Sequence, residues 1–401
     1  MKIKTRNKIL FVVEEFFPIT SAPAVRVNSF VKHCSRHSTT EVLCGSETKQ
    51  NNKNLKFLDV KYYVLHRPPE KNFIMFGFFL IKLMTLLFIV SIKSNPQVIV
   101  ISIPKYELLL STIFLKLLGK KIVLDVRDSY SFINYDAYLG HFVNKKLSVY
   151  LGKVVKKAVG LLFNASLRLC DYATVANEEI FEEIRHTNPK VIRKLKIVPN
   201  GVDINLFRNM NRPSINGSLS VIYIGNFAEK DLFLPIIEAV EGLKEKLAIK
   251  VILIGDGRNR YRIEDMINKK ELQPYFKFVG KITHNKVPEY INIADVGIIL
   301  REEDVVASIP VCIFEYMAIG IPVIVNNVGK MAEFVRKRNS GFVINNKSDL
   351  EELLSKMSTD KLMLQKRGDD SIEWVSKFGS REVLSKKFYD EVLMNLLACY
   401  N

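Results

Sequence analysis

Short runs of β-branched and apolar residues alternate along the chain with longer amphipathic stretches, and this alternation restricts the fold more than any other feature. The runs fall at residues 9–13, 41–44, 98–103 and 122–125 in the first half, then at 220–225, 250–255, 276–280, 296–300 and 322–326 in the second. A strand apolar on both faces must be covered on both, which crossover helices do for a parallel sheet. The spacing predicts an α/β chain with one doubly wound, Rossmann-like sheet in each half. No solenoid period or low-complexity segment competes with it.

At 401 residues the chain has room for two domains of roughly 100–200 residues each. The run Lys196-Ile197-Val198-Pro199-Asn200-Gly201-Val202-Asp203 joins strand residues to turn residues and is followed by the polar stretch 209–220. The domain boundary is expected there. With 48% hydrophobic and 25% charged residues, the chain has enough apolar side chain for large cores, which excludes a disordered or collagen-like protein. Cys34, Cys44, Cys170, Cys312 and Cys399 are scattered, odd in number and never spaced CxxC, which speaks against a disulfide framework or zinc knuckle and for a reducing, cytoplasmic setting. The apolar run 9–13 is stopped by Glu14 and Glu15 and is too short for a signal-peptide core.

Fifty-nine Lys and Arg against 42 Asp and Glu leave a formal charge of +17, which calls for a polyanion or an anionic surface as partner. No nucleic-acid-binding signature is present. Residues 73–92 carry one charge, Lys82, and meet the length of a membrane span. A single crossing would separate the runs 9–13 and 98–103, which should share a sheet, so the segment is expected either to pack into a core or to lie in a bilayer surface. In residues 145–168, Lys145, Lys146, Lys153, Lys156, Lys157 and Arg168 interleave with Leu147, Val149, Leu151, Val154, Val155, Leu161, Leu162 and Phe163. A basic amphipathic helix of this kind suits anionic headgroups, at about 1 kcal/mol per cation near the surface, and a solvated helix face is the plain alternative.

Gly255-Asp256-Gly257 follows the run 250–254 but lacks the third glycine of a dinucleotide fingerprint. It reads as a tight turn at the carboxyl end of a strand, suited to close backbone approach to a ligand. In the run 308–324, Pro310 suits the first turn of a short helix and Gly320 its end. The amino end of that helix is a phosphate site by dipole and unpaired N–H groups, and Glu315 beyond it suits a ribose diol. His33 and His37 share a helix spacing but have no third ligand, so no metal is expected.

Taken in order, these motifs resemble the retaining GT-B glycosyltransferases of family 4, in particular the bacterial surface-polysaccharide branch. The resemblance runs through Phe16-Phe17-Pro18 with Ala22-Pro23-Ala24-Val25-Arg26, Val126-Arg127-Asp128, the 197–207 hinge sequence, Tyr223-Ile224-Gly225-Asn226, Ile254-Gly255-Asp256-Gly257, Phe278-Val279-Gly280, Ala294-Asp295 and 309–322. It implies a GT-B architecture: an acceptor-side domain over 1–190, a nucleotide-sugar domain over 195–370, helices of 371–401 packing back on the first domain, and reaction in the cleft that the domains face. It implies transfer of a sugar, with retention, from a nucleotide diphosphate sugar to a lipid-linked saccharide at the inner face of the cell membrane, for O-antigen, capsule or exopolysaccharide.

Carried over by position, Glu315 would hold the donor ribose, Ile309 and Pro310 the diphosphate, Gly225 and Asn226 a phosphate-side turn, and Lys230 the leaving group. Asn200, Asp256 and Gly257 complete the donor set, and Arg127 and Asp128 are the catalytic candidates, with Asp128 orienting Arg127 or binding a sugar hydroxyl, or the two forming a structural ion pair. Neither a metal nor another cofactor is implied, because cations and helix dipoles meet the departing charge. Three positions depart from the family pattern: Ala307 where its E-x7-E motif has the first Glu, Cys312 where the branch has Lys, and Asn226 where many relatives have Arg. Glu302, Glu303 and Asp304 are nearby carboxylates without an assigned role. A sugar-nucleotide 2-epimerase and a catalytically degenerate membrane-bound scaffold share the same plan and remain alternatives.

Overall fold

The computed structural model describes residues 7–17, 22–46, 58, 60–66, 73–104, 106–132, 135, 145–210, 218–229, 231–302 and 309–398. Lys230, Ala307, Glu303 and Asp304 lie outside these. The chain forms two compact units, one of Met1–Asn200 with Leu384–Asn401 and one of Gly201–Val383. The sequence reading ended the second domain at 370, whereas this unit continues to Val383. Val202 bridges to Ser380, its N–H bonds to the Gly379 carbonyl at 2.9 Å, and the Arg381 N–H bonds back to the Val202 carbonyl at 2.9 Å. These bonds hold 379–381 to the start of the second unit.

The first unit runs β1 (Lys8–Val13), α1 (Ala22–His37), β2 (Thr39–Ser46), β3 (Lys61–His66), α2 (Phe73–Lys93), β4 (Val98–Ile103), α3 (Leu109–Leu117), β5 (Lys121–Val126), α4 (Lys145–Leu169), β6 (Tyr172–Val175), α5 (Glu178–Thr187) and β7 (Leu195–Ile197). Its sheet is parallel throughout, in the order β3-β2-β1-β4-β5-β6-β7. The two-residue alternation along β1 shows why both faces are covered. Ile9, Phe11 and Val13 join the core with Phe30, Val31 and the returning Phe388 and Val392, while Leu10 and Val12 join the core with Leu87, Leu115 and Leu167.

The expectation that α2 packs into a core holds for one of its faces. Phe79, Leu83, Leu87 and Val90 are buried in the core, but Phe78 and Ile81 are 61% and 64% exposed. Among the described residues, no helix is long and apolar enough to cross a membrane.

The second unit runs β8 (Leu219–Gly225), α6 (Leu234–Leu243), β9 (Ile249–Gly255), α7 (Arg260–Lys269), β10 (Phe276–Gly280), α8 (Val287–Asn292), β11 (Val296–Ile299), α9 (Val311–Ile319), β12 (Val323–Asn326), α10 (Gly329–Lys337), β13 (Gly341–Ile344), α11 (Lys347–Thr359) and α12 (Lys361–Trp374). Its parallel sheet has the order β10-β9-β8-β11-β12-β13. From β8 the chain builds outward to β10, then restarts beside β8 with β11 and builds the other way. Connections on either side of that restart leave in opposite directions, and open parallel sheets bind ligands in the crevice at the carboxyl ends of such a strand pair. The corresponding pair in the first sheet is β1 and β4.

Candidate active site

In the second unit the β8 and β9 turns meet backbone to backbone. Gly255 has a φ of +124°, and a β-carbon there would lie 1.8 Å from the Gly225 carbonyl oxygen; one at Gly257 would lie 2.9 Å from the Phe227 carbonyl oxygen. Only glycine allows this approach, which brings the Gly225-Asn226 and Asp256-Gly257 turns side by side. The Asp256 carboxylate is engaged locally: Oδ1 accepts the Gly257 N–H at 2.9 Å and faces Arg260 at 3.8 Å. Asn226 is exposed at the tip.

Helix α9 begins just after Pro310, with no side chain capping its amino end, and stops at Gly320 in the left-handed conformation. Its first turn, Val311, Cys312 and Ile313, carries no formal charge, and burial pushes the Cys312 thiol up to about 12, aided by the nearby Glu315 carboxylate. The thiol is neutral at physiological pH. The helix end is therefore a cluster of N–H donors without a local anion in the first turn.

One turn further in, Glu315 is 4% exposed, and its Oε1 lies 2.7 Å from His284 Nε2. The His284 ring rests against Phe207, with centroids 5.1 Å apart. Among the described residues His284 is the one hydrogen-bond partner of the Glu315 side chain, which leaves Oε2 to accept from a ligand hydroxyl. Burial pushes the Arg381 guanidinium down, and the charges of Glu315 and Asp203 oppose that shift. The acid is thus paired with an imidazole, and its charge reaches the buried Arg381. Neither residue was singled out from sequence, because His284 and Arg381 lie 31 and 66 positions from Glu315 and carry no motif of their own.

At the β8–β11 restart, Arg301 Nε donates to Asp231 Oδ1 at 3.1 Å, and Asp231 Oδ2 accepts from the Tyr223 hydroxyl at 2.9 Å and the Ala228 N–H at 3.0 Å. Arg301 was also missed. A charge directly after the apolar run 296–300 was its only sequence signal.

In the first unit, Arg127 follows β5 and is 6% exposed. Its Nε donates to the Ile103 carbonyl at 3.1 Å and its Nη2 lies 3.5 Å from the Pro104 carbonyl, while Nη1 is buried without a partner. Burial pushes this guanidinium down against the pull of Asp125 and Asp128. Asp128 is exposed, and its carbonyl accepts from the Tyr106 hydroxyl at 2.8 Å. The expected orientation of Arg127 by Asp128, or an ion pair between them, is thus replaced by main-chain carbonyls at the end of β4. The adjacent side chains diverge because position 127 turns into the fold and 128 out of it.

Beside Arg127 lies an ion pair that the sequence reading did not identify. Arg26 is 2% exposed, and its Nη2 donates to Asp125 Oδ1 at 2.7 Å. Asp125 also accepts from Ser102 at 2.9 Å and Thr174 at 2.8 Å. Arg26 Nη1 reaches the Pro199 carbonyl at 2.8 Å and Asn200 Oδ1 at 3.4 Å. Burial alone would raise the Asp125 carboxyl, but Arg26, the Thr174 hydroxyl and the Arg127 charge hold it below its ordinary range. Asn200, read from sequence as a donor residue, is here an anchor for the last residues of the first unit. Among the described residues, no three His, Cys, Asp or Glu side chains are grouped to hold a metal ion.

Residues 209–374 match the family model described as Glycosyl transferases group 1. The chain is 23% identical over 226 residues to alpha-monoglucosyldiacylglycerol synthase of Acholeplasma laidlawii, covering 52% of this chain and 55% of that protein. It is 27% identical over 192 residues to the colanic acid biosynthesis glycosyltransferase WcaL of Escherichia coli strain K12, named there as a provisional assignment, covering 45% and 47%. The chain thus spans about half the length of these curated relatives. In fold it is similar to Anabaena HepE, solved with UDP and glucose, at a TM-score of 0.72 and 14% identity over 96% of this chain and 99% of that one. Two parallel-sheet Rossmann-like units in this order are the plan of the GT-B glycosyltransferases among which its structural neighbours fall.

Proposed function

We propose that this chain, which carries a group 1 glycosyl transferase domain, is a retaining glycosyltransferase of family 4. It transfers a sugar from a nucleotide diphosphate donor to a lipid-linked saccharide in bacterial surface-polysaccharide assembly, working on the cytoplasmic face of the cell membrane. The observation that carries the reading is the pairing, on one short helix beside the β8–β11 restart, of an uncapped amino end with a buried carboxylate one turn further in. The first suits a diphosphate and the second a ribose diol. HepE, as solved, binds UDP and glucose, which supports this class of donor.

On this reading, the helix N–H groups and nearby cations stabilise the leaving diphosphate while the anomeric carbon takes on oxocarbenium character, and the acceptor hydroxyl enters on the face the diphosphate leaves. Arg127 Nη1, buried and without a partner among the described residues, is the first-unit group best suited to an anion. The reading needs no metal ion.

A thermal-shift panel of UDP-, GDP- and other nucleotide sugars tests the donor. A ligand at a hundred times its dissociation constant adds about 2.7 kcal/mol to stability, so one base is expected to raise the unfolding midpoint and the others not. No response to any nucleotide would reject the reading, and isomerised donor without acceptor would favour the epimerase. Inverted anomeric configuration in the product would reject retention.

The membrane partner rests on exposed apolar side chains set among lysines. Phe78, Ile81 and Ile92 of α2, Leu117 of α3, and Val154 and Leu161 of α4 are exposed, with Lys153, Lys156 and Lys157 on the same helix as the last two. Changing these three lysines to Glu is expected to release the protein from vesicles containing anionic lipid. At about 1 kcal/mol per cation, partitioning should fall more than a hundredfold, and sedimentation with vesicles reads it. Undiminished binding would move the contact to another surface.

A further inference from the structure

We propose that Arg301 is the residue that grips the donor diphosphate, supplying from the end of β11 the cation that the first turn of α9 lacks. The inference rests on the nucleotide-sugar reading above and adds to it a specific residue and its supporting contacts.

Position comes first. Arg301 lies two residues beyond the end of β11 and bridges to Asp231, which follows β8. It therefore stands at the carboxyl edge of the two strands where the sheet order reverses, the place in such a sheet where a ligand is expected. Its backbone is fixed there by the Asn326 side chain, which accepts the Arg301 N–H at 2.9 Å and donates to the Arg301 carbonyl at 2.7 Å.

The side chain is oriented but not saturated. Nε is committed to Asp231, and Asp231 is itself held by Tyr223 and Ala228, so the guanidinium plane is set by a buried, fully engaged acid. Among the described residues, neither Nη1 nor Nη2 has a partner. The side chain is only 16% exposed, and a guanidinium presents its donors in a rigid planar fork. Two parallel donors carrying charge and largely withdrawn from water call for a bidentate anion, and a phosphate matches that fork.

The neighbouring helix end supplies the complement. The first turn of α9, in the segment that follows Arg301 in the chain, offers N–H groups without a side-chain cap and carries no cation. Arg301 and the helix end can therefore hold the same anion from two sides, with Asp231 keeping the guanidinium from swinging away. Tyr223 and Asp231 are positioning residues in this arrangement.

Calorimetric titration of the full chain with the nucleoside diphosphate of the base the panel selects, and with the corresponding nucleoside, tests the assignment. Arg301→Gln is expected to weaken the diphosphate about 10- to 100-fold, as for the loss of hydrogen bonds to a charged group, and to leave the nucleoside unchanged. Because that change strands the buried Asp231 carboxylate, the double variant Asp231→Asn/Arg301→Gln removes both charges and is expected to show the same selective loss. Equal affinity of wild type and the folded double variant for the diphosphate overturns the assignment, as does parallel loss of nucleoside and diphosphate, which marks a structural role. A wild-type chain that binds no nucleotide defeats the donor reading itself, and this inference with it.

Discussion

Asp125→Ala is expected to destabilise the first unit by about 3–5 kcal/mol, because it leaves the Arg26 guanidinium buried without its counter-charge. The pair has no solvent to fall back on: both side chains are at most 1% exposed. Ser102 and Thr174 would lose their shared acceptor as well, and the grip of Arg26 on Pro199 and Asn200 would loosen with its own anchor gone. Unfolding of a two-unit chain need not be two-state, so hydrogen exchange in β1, β4 and β5, read separately from β8 and β9, is the suitable measurement. Full protection of the first sheet in the variant would show that the pair is dispensable.

The same pair sets a pH dependence. The Asp125 carboxyl is held below its unfolded value, so its contribution is complete above the ordinary carboxylate range and is lost as pH falls through the depressed folded value. Acid should therefore weaken the first sheet in the wild type, and this component should be absent in Asp125→Ala.

Glu315→Ala is expected to weaken donor binding more than a hundredfold, since a carboxylate accepting two ribose hydroxyls contributes about 1.5–3 kcal/mol through each. The fold should survive. Glu315 sits in a helix whose packing is carried by Ile313, Phe314, Tyr316 and Met317, all buried, and alanine is the best helix former. Glu315→Gln keeps one acceptor oxygen and should lose less. The distinguishing measurement is affinity for the nucleoside diphosphate beside an unfolding curve: weaker binding with an unchanged midpoint supports the ribose role. Unchanged affinity would remove it and leave Glu315 as a partner for His284 alone.

The central strands of both sheets are legible in the sequence because they are apolar on both faces and long enough to stand out. The pairing of β1 with β4 was likewise expected before any coordinates. Three short strands were not legible. β3 is an edge strand whose half-exposed residues keep polar neighbours, and in the four-residue β6 and β13 Thr174 or Gly341 shortens the apolar run to two or three residues. Their assignment as strands comes from the hydrogen bonds of an existing sheet, not from their own composition.

At the site, what one segment determines was readable and what several segments must build was not. Gly255 and Gly257, the helix opening after Pro310 and Glu315 within it are local features, and local backbone chemistry marks them in sequence. Arg26 with Asp125, His284 with Glu315, and Arg301 with Asp231 join residues 99, 31 and 70 positions apart. Arg127 and Asp128 make the same point in reverse, since adjacent residues turn to opposite environments. Sequence fixes which side chains are available and which secondary structure they favour, because those depend on near neighbours along the chain. Which charges meet depends on strand order and burial, since a Coulomb pair gains its strength from proximity and exclusion of water, and only the folded sheet supplies both.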